Sequence, residues 1–228
     1  MTMSIPSVTS DAVSHNLCLG CGLCALNCPT TALVMEELPV SGSDQIRKSP
    51  SLRPELCVHC GRCAAVCPSG TIAQHRMEVL VHTVQEQHVR AVVFFCAGLA
   101  LLRPTPLEQG ALSFDMPLLD ARRRPRLSDD VSVPEGVLLE EVRCTGRIGP
   151  RLLLRLALAG AGEVVILACP PGKCRYGNGR TGAREHVTAV ADMLEQYGVT
   201  GVRMIVRDTP PADAAMLQAL LDGLAVAR

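Results

Sequence analysis

Eight of the chain's twelve cysteines fall into two copies of one run. Cys18, Cys21, Cys24 and Cys28 precede Pro29, and Cys57, Cys60, Cys63 and Cys67 precede Pro68. Both read C-x2-C-x2-C-x3-C-P, the spacing with which thiolates hold 4Fe–4S clusters, and in paired runs the fourth cysteine ligates the cluster of the other run. The spacing therefore assigns Cys18, Cys21, Cys24 and Cys67 to a first cluster, and Cys57, Cys60, Cys63 and Cys28 to a second. Clusters of this kind carry electrons, so electron transfer is the chemistry to expect. A structural zinc is a poor rival for these runs, because zinc sites pair their ligands as Cys-x2-Cys and do not use a three-plus-one run ending in Cys-Pro.

Four cysteines remain: Cys96, Cys144, Cys169 and Cys174. The first three stand at or just after the ends of apolar segments that read as strands, 91–95, 137–142 and 164–168, with a fourth strand over 202–206. In a parallel sheet those ends share one edge, where open α/β folds build their sites. Cys174 follows Cys169 in the loop Pro170-Pro-Gly-Lys-Cys174-Arg-Tyr-Gly-Asn-Gly179. Four thiols gathered there suit a 2Fe–2S cluster, a 4Fe–4S cluster or a zinc ion. A single cysteine after a strand is ordinarily a small buried apolar residue, and Cys96 alone would be read that way.

The loop also carries Gly177, Gly179 and Gly182 in the lettering of a dinucleotide fingerprint. In that fingerprint the first glycine closes the turn directly after the strand, whereas here two cysteines intervene. The glycines instead let backbone N–H groups approach an anionic centre. Lys173, Arg175 and Arg180 add positive charge, which favours a reduced cluster, and Tyr176 is placed to shield it. His59 sits inside the second run. His15, His75, His82, His88 and His186 show no ligand spacing and read as surface or packing residues.

The elements that hold these residues follow an internal repeat and then an alternation. Cys28-Pro-Thr-Thr-Ala-Leu-Val-Met and Cys67-Pro-Ser-Gly-Thr-Ile-Ala-Gln match in position and character. Each half predicts a cluster loop, a turn of helix after the proline, then a strand. Residues 36–55 read as a polar loop or hairpin insertion, and 85–90 as a linker. Beyond it, helices are predicted from Pro150 to Ala159, along the face Val187, Val190, Leu194 and Tyr197, and after Thr209 with Met216, Leu220 and Leu224 on one face. The Pro- and Arg-rich stretch 103–135 reads as a solvated loop. The fold class is thus an α+β ferredoxin-like N-terminal domain (1–84) followed by an α/β C-terminal domain (85–228) with a parallel sheet.

Composition narrows the partners. Hydrophobic residues are 48% of the 228 and charged residues 19%, which excludes global disorder. A formal net charge of zero gives no reason to expect nucleic acid. No apolar stretch is long enough to span a bilayer, so direct membrane insertion is not expected. The first residues lack the basic start and apolar stretch of a signal peptide, and unpaired thiolates need a reducing compartment, so a cytoplasmic location is expected.

Arg143-Cys-Thr-Gly-Arg147 and Ala168-Cys-Pro-Pro-Gly-Lys-Cys-Arg-Tyr-Gly-Asn-Gly179 resemble the delta subunit of methyl-viologen-reducing hydrogenase, over about 89–206. The N-terminal third resembles the bacterial two-cluster ferredoxins. The resemblance implies a flavodoxin-like domain with one 2Fe–2S cluster on Cys96, Cys144, Cys169 and Cys174. It also implies an electron relay between a flavoprotein of heterodisulfide reductase type and a hydrogenase or formate dehydrogenase. One departure stands out: the family's Phe-Cys-Cys-x-x-Cys element is here Phe95-Cys96-Ala-Gly-Leu, leaving Cys96 as the one candidate ligand there. Two other readings compete: a flavin- or nicotinamide-binding reductase fed by its own ferredoxin domain, and a C-terminal zinc-stabilised interaction module.

Overall fold

The two cysteine runs adopt the same backbone path, and the reason lies in three left-handed positions that recur at one offset. Gly20, Gly22 and Thr31 of the first run have φ of 68°, 75° and 53°, and His59, Gly61 and Gly70 of the second have 52°, 77° and 67°. This is a computed structural model that describes residues 17–39, 46–72, 75–96, 131–208 and 214–226. After Gly22 and Gly61 the chain makes one helical turn each, α1 (Leu23–Leu26) and α2 (Arg62–Ala65). These turns precede Pro29 and Pro68, whereas the sequence pattern expects them after. The residue before a proline is disfavoured in a helix, so the turn closes by the fourth cysteine.

The halves then diverge. The first continues into β1 (Leu33–Pro39), which pairs antiparallel with β2 (Ile46–Leu52) from Leu33 opposite Leu52 to Pro39 opposite Ile46. Of the segment 36–55, residues 36–39 and 46–52 thus lie in this antiparallel pair. In the second half, Ile72 makes a bridge where a strand is predicted, residues 73–74 lie outside the described residues, and by His75 the chain has entered α3 (His75–Glu86).

Four strands form the second sheet in the order β4 (Val137–Val142), β3 (Ala91–Cys96), β5 (Glu163–Ala168), β6 (Arg203–Asp208), all parallel. Every residue of β3 and β5 is buried, as expected of central strands covered on both faces. Alternation divides their side chains. Val92, Phe94, Val164 and Ile166 face a core closed by Val84 of α3, Leu153 of α4 (Pro150–Leu158) and Val190 of α5 (Gly179–Gln196). Val93, Phe95, Val165 and Leu167 face Leu217, Leu221 and Leu224 of α6 (Ala214–Val226). Helix α3 therefore belongs by packing to the sheet, and residues 85–90 form its end and a tight turn with Val89 buried.

Two faces differ from the periodicity. In α6 the buried residues are Leu217, Leu221 and Leu224, with Met216 and Leu220 half-buried beside them. Helix α5 buries Ala183, Val187 and Val190, but Tyr197 at its end is 80% exposed. The predicted loop 103–135 lies outside the described residues up to 130, as do His15 and the start of the last helix at Thr209. Among the described residues no helix is long and apolar enough to cross a membrane.

The part that carries the two cysteine runs meets the parallel-sheet part at a seam without room for a side chain. Gly149, the N-cap of α4, is buried, and a Cβ there would stand 2.3 Å from the Ala65 carbonyl oxygen. Gly149→Ala is expected to lower stability by about 1–3 kcal/mol, the usual cost of overpacking. Gly182→Ala in α5, where a Cβ meets nothing within 4 Å, is expected to raise it by about 1 kcal/mol. Urea denaturation of the two anaerobically prepared variants checks both signs.

Candidate metal centres

The first quartet lines one cavity. Cys18, Cys21, Cys24 and Cys67 open onto it together, with Met35 and Pro50 of the hairpin on its wall. Three of these cysteines come from the first run and one from the second, the crossing that the spacing implies. Burial pushes the Cys24 thiol up, and the neighbouring Cys67 and Cys18 push it further. Cys21 is exposed, and Leu19 beside it is 69% exposed, so this centre lies at the surface of the molecule.

Cys57, Cys60, Cys63 and Cys28 form the second group, again three and one. Burial raises the Cys60 thiol, and the charges of Cys28 and Cys57 add to it. Cys63 is pushed up to about 12 by burial, then by Cys60, Cys57 and Cys24, so the two quartets adjoin. The crossing cysteines behave oppositely. Burial raises Cys28, but the N–H group and hydroxyl of Thr30 and the N–H groups of Leu33 and Ala32 outweigh it and leave it lowered. Cys67 is lowered in the same way by Ser69, Ile72, Thr71 and Gly70. The segment after each Cys-Pro is thus a cup of N–H donors for a thiolate sulfur, with Ala32 donating to Cys28 Sγ at 3.2 Å.

The four remaining cysteines meet at the C-terminal edge of the parallel sheet. Cys96 ends β3 and Cys169 follows β5, and Cys169 Sγ donates to Cys96 Sγ at 3.1 Å. Strands β3 and β5 are the pair from which the chain leaves in opposite directions, to β4 on one side and β6 on the other. Such a switch point is where an open α/β sheet places its site. Cys144, two residues after β4, and Cys174 of the Pro170 loop flank Gly179, whose missing Cβ would stand 2.3 Å from Cys144 Sγ and 3.5 Å from Cys174 Sγ. Burial drives both Cys144 and Cys169 up to about 12, and the other thiols of the group add to it. Cys174 and Cys96 act on Cys144, while Cys96, Cys174 and Cys144 act on Cys169.

Among the described residues, no three His, Cys, Asp or Glu side chains converge on the spacing of a single bound ion. The four sulfurs are neighbours of one another: Cys169 lies against Cys96, and the charges of Cys174 and Cys144 both reach Cys169. Four gathered thiols suit a metal centre. The donor chemistry also fits: buried thiols of raised pKa become good ligands once a cation neutralises the thiolate.

Among the surrounding residues, Arg180 and a set of seam arginines depart from expectation, whereas Gly179 agrees with it. Arg180 pairs with Asp208, as does Arg184, so its charge ties α5 to β6 instead of facing the thiols. Gly179 is buried by its approach to Cys144 and serves the thiols, not a pyrophosphate. Three arginines that sequence reasoning misses meet at the seam. Arg143 donates to the Val58 carbonyl at 3.4 Å, Arg62 donates to the Tyr176 carbonyl at 3.4 Å, and the Arg147 side chain lies against Gly61. A signal is present for Arg62, because its repeat mate is Leu23. Among the histidines, His59 is held below its ordinary range by burial and then by Arg143 and Arg147. His186 bonds the Ile148 carbonyl oxygen through Nδ1 at 3.0 Å, and His82 lies at the surface beside Glu86.

Comparison with known proteins gives three family matches. Residues 125–226 match the family described as methyl-viologen-reducing hydrogenase, delta subunit. Residues 17–71 and 49–100 match 4Fe–4S dicluster domains. An iron–sulfur subunit of the F420-non-reducing hydrogenase vhc of Methanococcus voltae is 33% identical over 72 residues, 32% of this chain and 50% of that protein. Its vhu counterpart from Methanopyrus kandleri is 30% identical over 81 residues, 36% of this chain and 61% of that protein. The chain thus spans about half to three fifths of the curated relatives it matches. It carries a 4Fe–4S dicluster region joined to a methyl-viologen-reducing hydrogenase delta-subunit domain, and it is related to hydrogenase iron–sulfur subunits.

Proposed function

We propose that the chain is a three-centre electron relay within a larger oxidoreductase complex. Cys18, Cys21, Cys24 and Cys67 hold one 4Fe–4S cluster, and Cys57, Cys60, Cys63 and Cys28 hold the second. Cys96, Cys144, Cys169 and Cys174 hold a 2Fe–2S cluster. The relay joins a flavoprotein of heterodisulfide reductase type to a hydrogenase, formate dehydrogenase or similar redox subunit, in the cytoplasm. The hydrogenase end of this reading draws on the relatives' names, and the flavoprotein end on the family resemblance.

One observation carries the proposal. Cys60 of the second quartet raises the Cys144 thiol of the third group across the seam, so the two groups are electrostatic neighbours. The order runs from the quartet with the exposed Cys21, through the second quartet, to the sheet edge. Clusters supply reversible one-electron chemistry; the protein supplies their separation, burial and surrounding charge. The switch-point crevice that would admit a flavin or nicotinamide is occupied by Cys96 and Cys169, which disfavours the reductase reading.

Anaerobically purified chain is expected to contain about ten iron atoms, four in each of two clusters and two in the third, as measured by colorimetric iron analysis. Eight iron atoms with one zinc would replace the third cluster by a zinc site. Cys169→Ala and Cys174→Ala are each expected to remove one EPR signal while leaving the 4Fe–4S signals intact. An unchanged spectrum in both variants would remove these residues from the ligand set.

A further inference from the structure

Arg62 stands out among the charged groups of the seam. It lies inside the second cysteine run, between Cys60 and Cys63, and is only 6% exposed. A buried guanidinium needs a counter-charge, since an uncompensated ion in a low-dielectric interior is strongly unfavourable. Among the described residues no carboxylate pairs with it. Its hydrogen bond to the backbone carbonyl of Tyr176, in the loop that carries Cys174, is a long one of 3.4 Å.

The position is also set sterically from the other half. The Arg62 Cγ would lie 3.3 Å from a Cβ on Gly146, two residues beyond Cys144, and Gly146 in turn packs against Gly179. The stem of Arg62 is thus fitted into the Cys144 loop while its head reaches the Tyr176 carbonyl. Its repeat mate Leu23, at the corresponding place on the first run, is 40% exposed at the outer surface. The repeat therefore sets a leucine at the outward quartet and an arginine at the inward one. Backbone geometry is the same at both places, so the difference is one of charge and of neighbours.

We propose that Arg62 is a positioning and charge-compensating residue shared by the second and third centres, its missing counter-ion being the anionic thiolate groups on either side. It holds the Cys174 loop against the second run, and it raises the potentials of the two inner centres relative to the outer one. A fixed positive charge favours the more negative reduced state, so its removal lowers the potential. The effect is local because the outer quartet has Leu23 in the place equivalent to Arg62.

The inference rests on the three-centre reading above, and one experiment separates the two. EPR-monitored redox titration is carried out on the full chain, prepared anaerobically as wild type, Arg62→Gln and Arg62→Lys, with iron content measured for each. In Arg62→Gln, the 2Fe–2S wave and one 4Fe–4S wave are expected to shift to lower potential. At a fixed potential the reduced-to-oxidised ratio should fall roughly tenfold, equivalent to about 59 mV for a one-electron couple. The other 4Fe–4S wave should stay in place, and Arg62→Lys should remain close to wild type. Unmoved waves in Arg62→Gln, or an equal shift of all three, would overturn the proposal. If Arg62→Gln loses iron, Arg62→Lys decides: retained iron with wild-type potentials supports it, and equal loss of iron or a shift of all three waves overturns it. Absence of the 2Fe–2S wave from the wild type would instead remove the three-centre reading on which it rests.

Discussion

A thiol can serve as an iron ligand only as a thiolate, and a thiolate tolerates burial only beside positive charge or donated N–H groups. That constraint runs through the whole molecule. Twelve cysteines stand in three groups, and five of them, Cys24, Cys60, Cys63, Cys144 and Cys169, are held above their ordinary range chiefly by burial. Two others, Cys28 and Cys67, are lowered by the amide cups that follow each Cys-Pro. Folding therefore arranges ligands whose charge needs compensation, and the compensation that chemistry offers is a polynuclear cation core. Close approach is achieved with glycine where a side chain would intervene, at Gly179 beside Cys144 and at Gly149 beside Ala65.

Two scaffolds meet this demand differently. In the N-terminal part, short spacing does the work: a left-handed residue before each helical turn folds the run back on itself, and the fourth cysteine is left to cross to the other half. In the C-terminal part the ligands are distant in sequence and are gathered by sheet topology. The order β4-β3-β5-β6 brings the ends of three strands to one edge, and the Pro170 loop adds the fourth thiol. The α3 helix, packed through Val84 and its neighbours into the sheet's core, and the Gly149 contact hold one scaffold against the other. Arg62, Arg143 and Arg147 bring positive charge to that junction.

Much of this is legible in the residues. The cysteine runs declare their chemistry through spacing alone, and the four strands are short apolar segments with little ambiguity. Leftover cysteines at strand ends can be expected to converge, because parallel strands align their C-terminal ends. What escapes is whatever depends on the packing of one part against another. The pattern puts the helical turn after Pro29, but the C-x3-C spacing itself spans a turn that the proline terminates. Periodicity sets Tyr197 on a buried face, yet α5 outruns the sheet and leaves its last turn in water. Residues 85–90 read as a linker because they are polar, although the helix they end is anchored by Met77, Leu80, Val81 and Val84. Arg62 is hidden inside a motif whose other letters already have an explanation, and only its mismatch with Leu23 marks it.

The central claim is that the strand-end cysteines hold an iron centre in contact with the second cluster of the dicluster region. Mössbauer spectroscopy of the full chain, grown on 57Fe and kept anaerobic, tests it most directly. The account predicts 4Fe–4S and 2Fe–2S subspectra with areas of about four to one. It further predicts magnetic broadening of the 2Fe–2S component when the neighbouring cluster is reduced. A spectrum made up of 4Fe–4S components alone would contradict it.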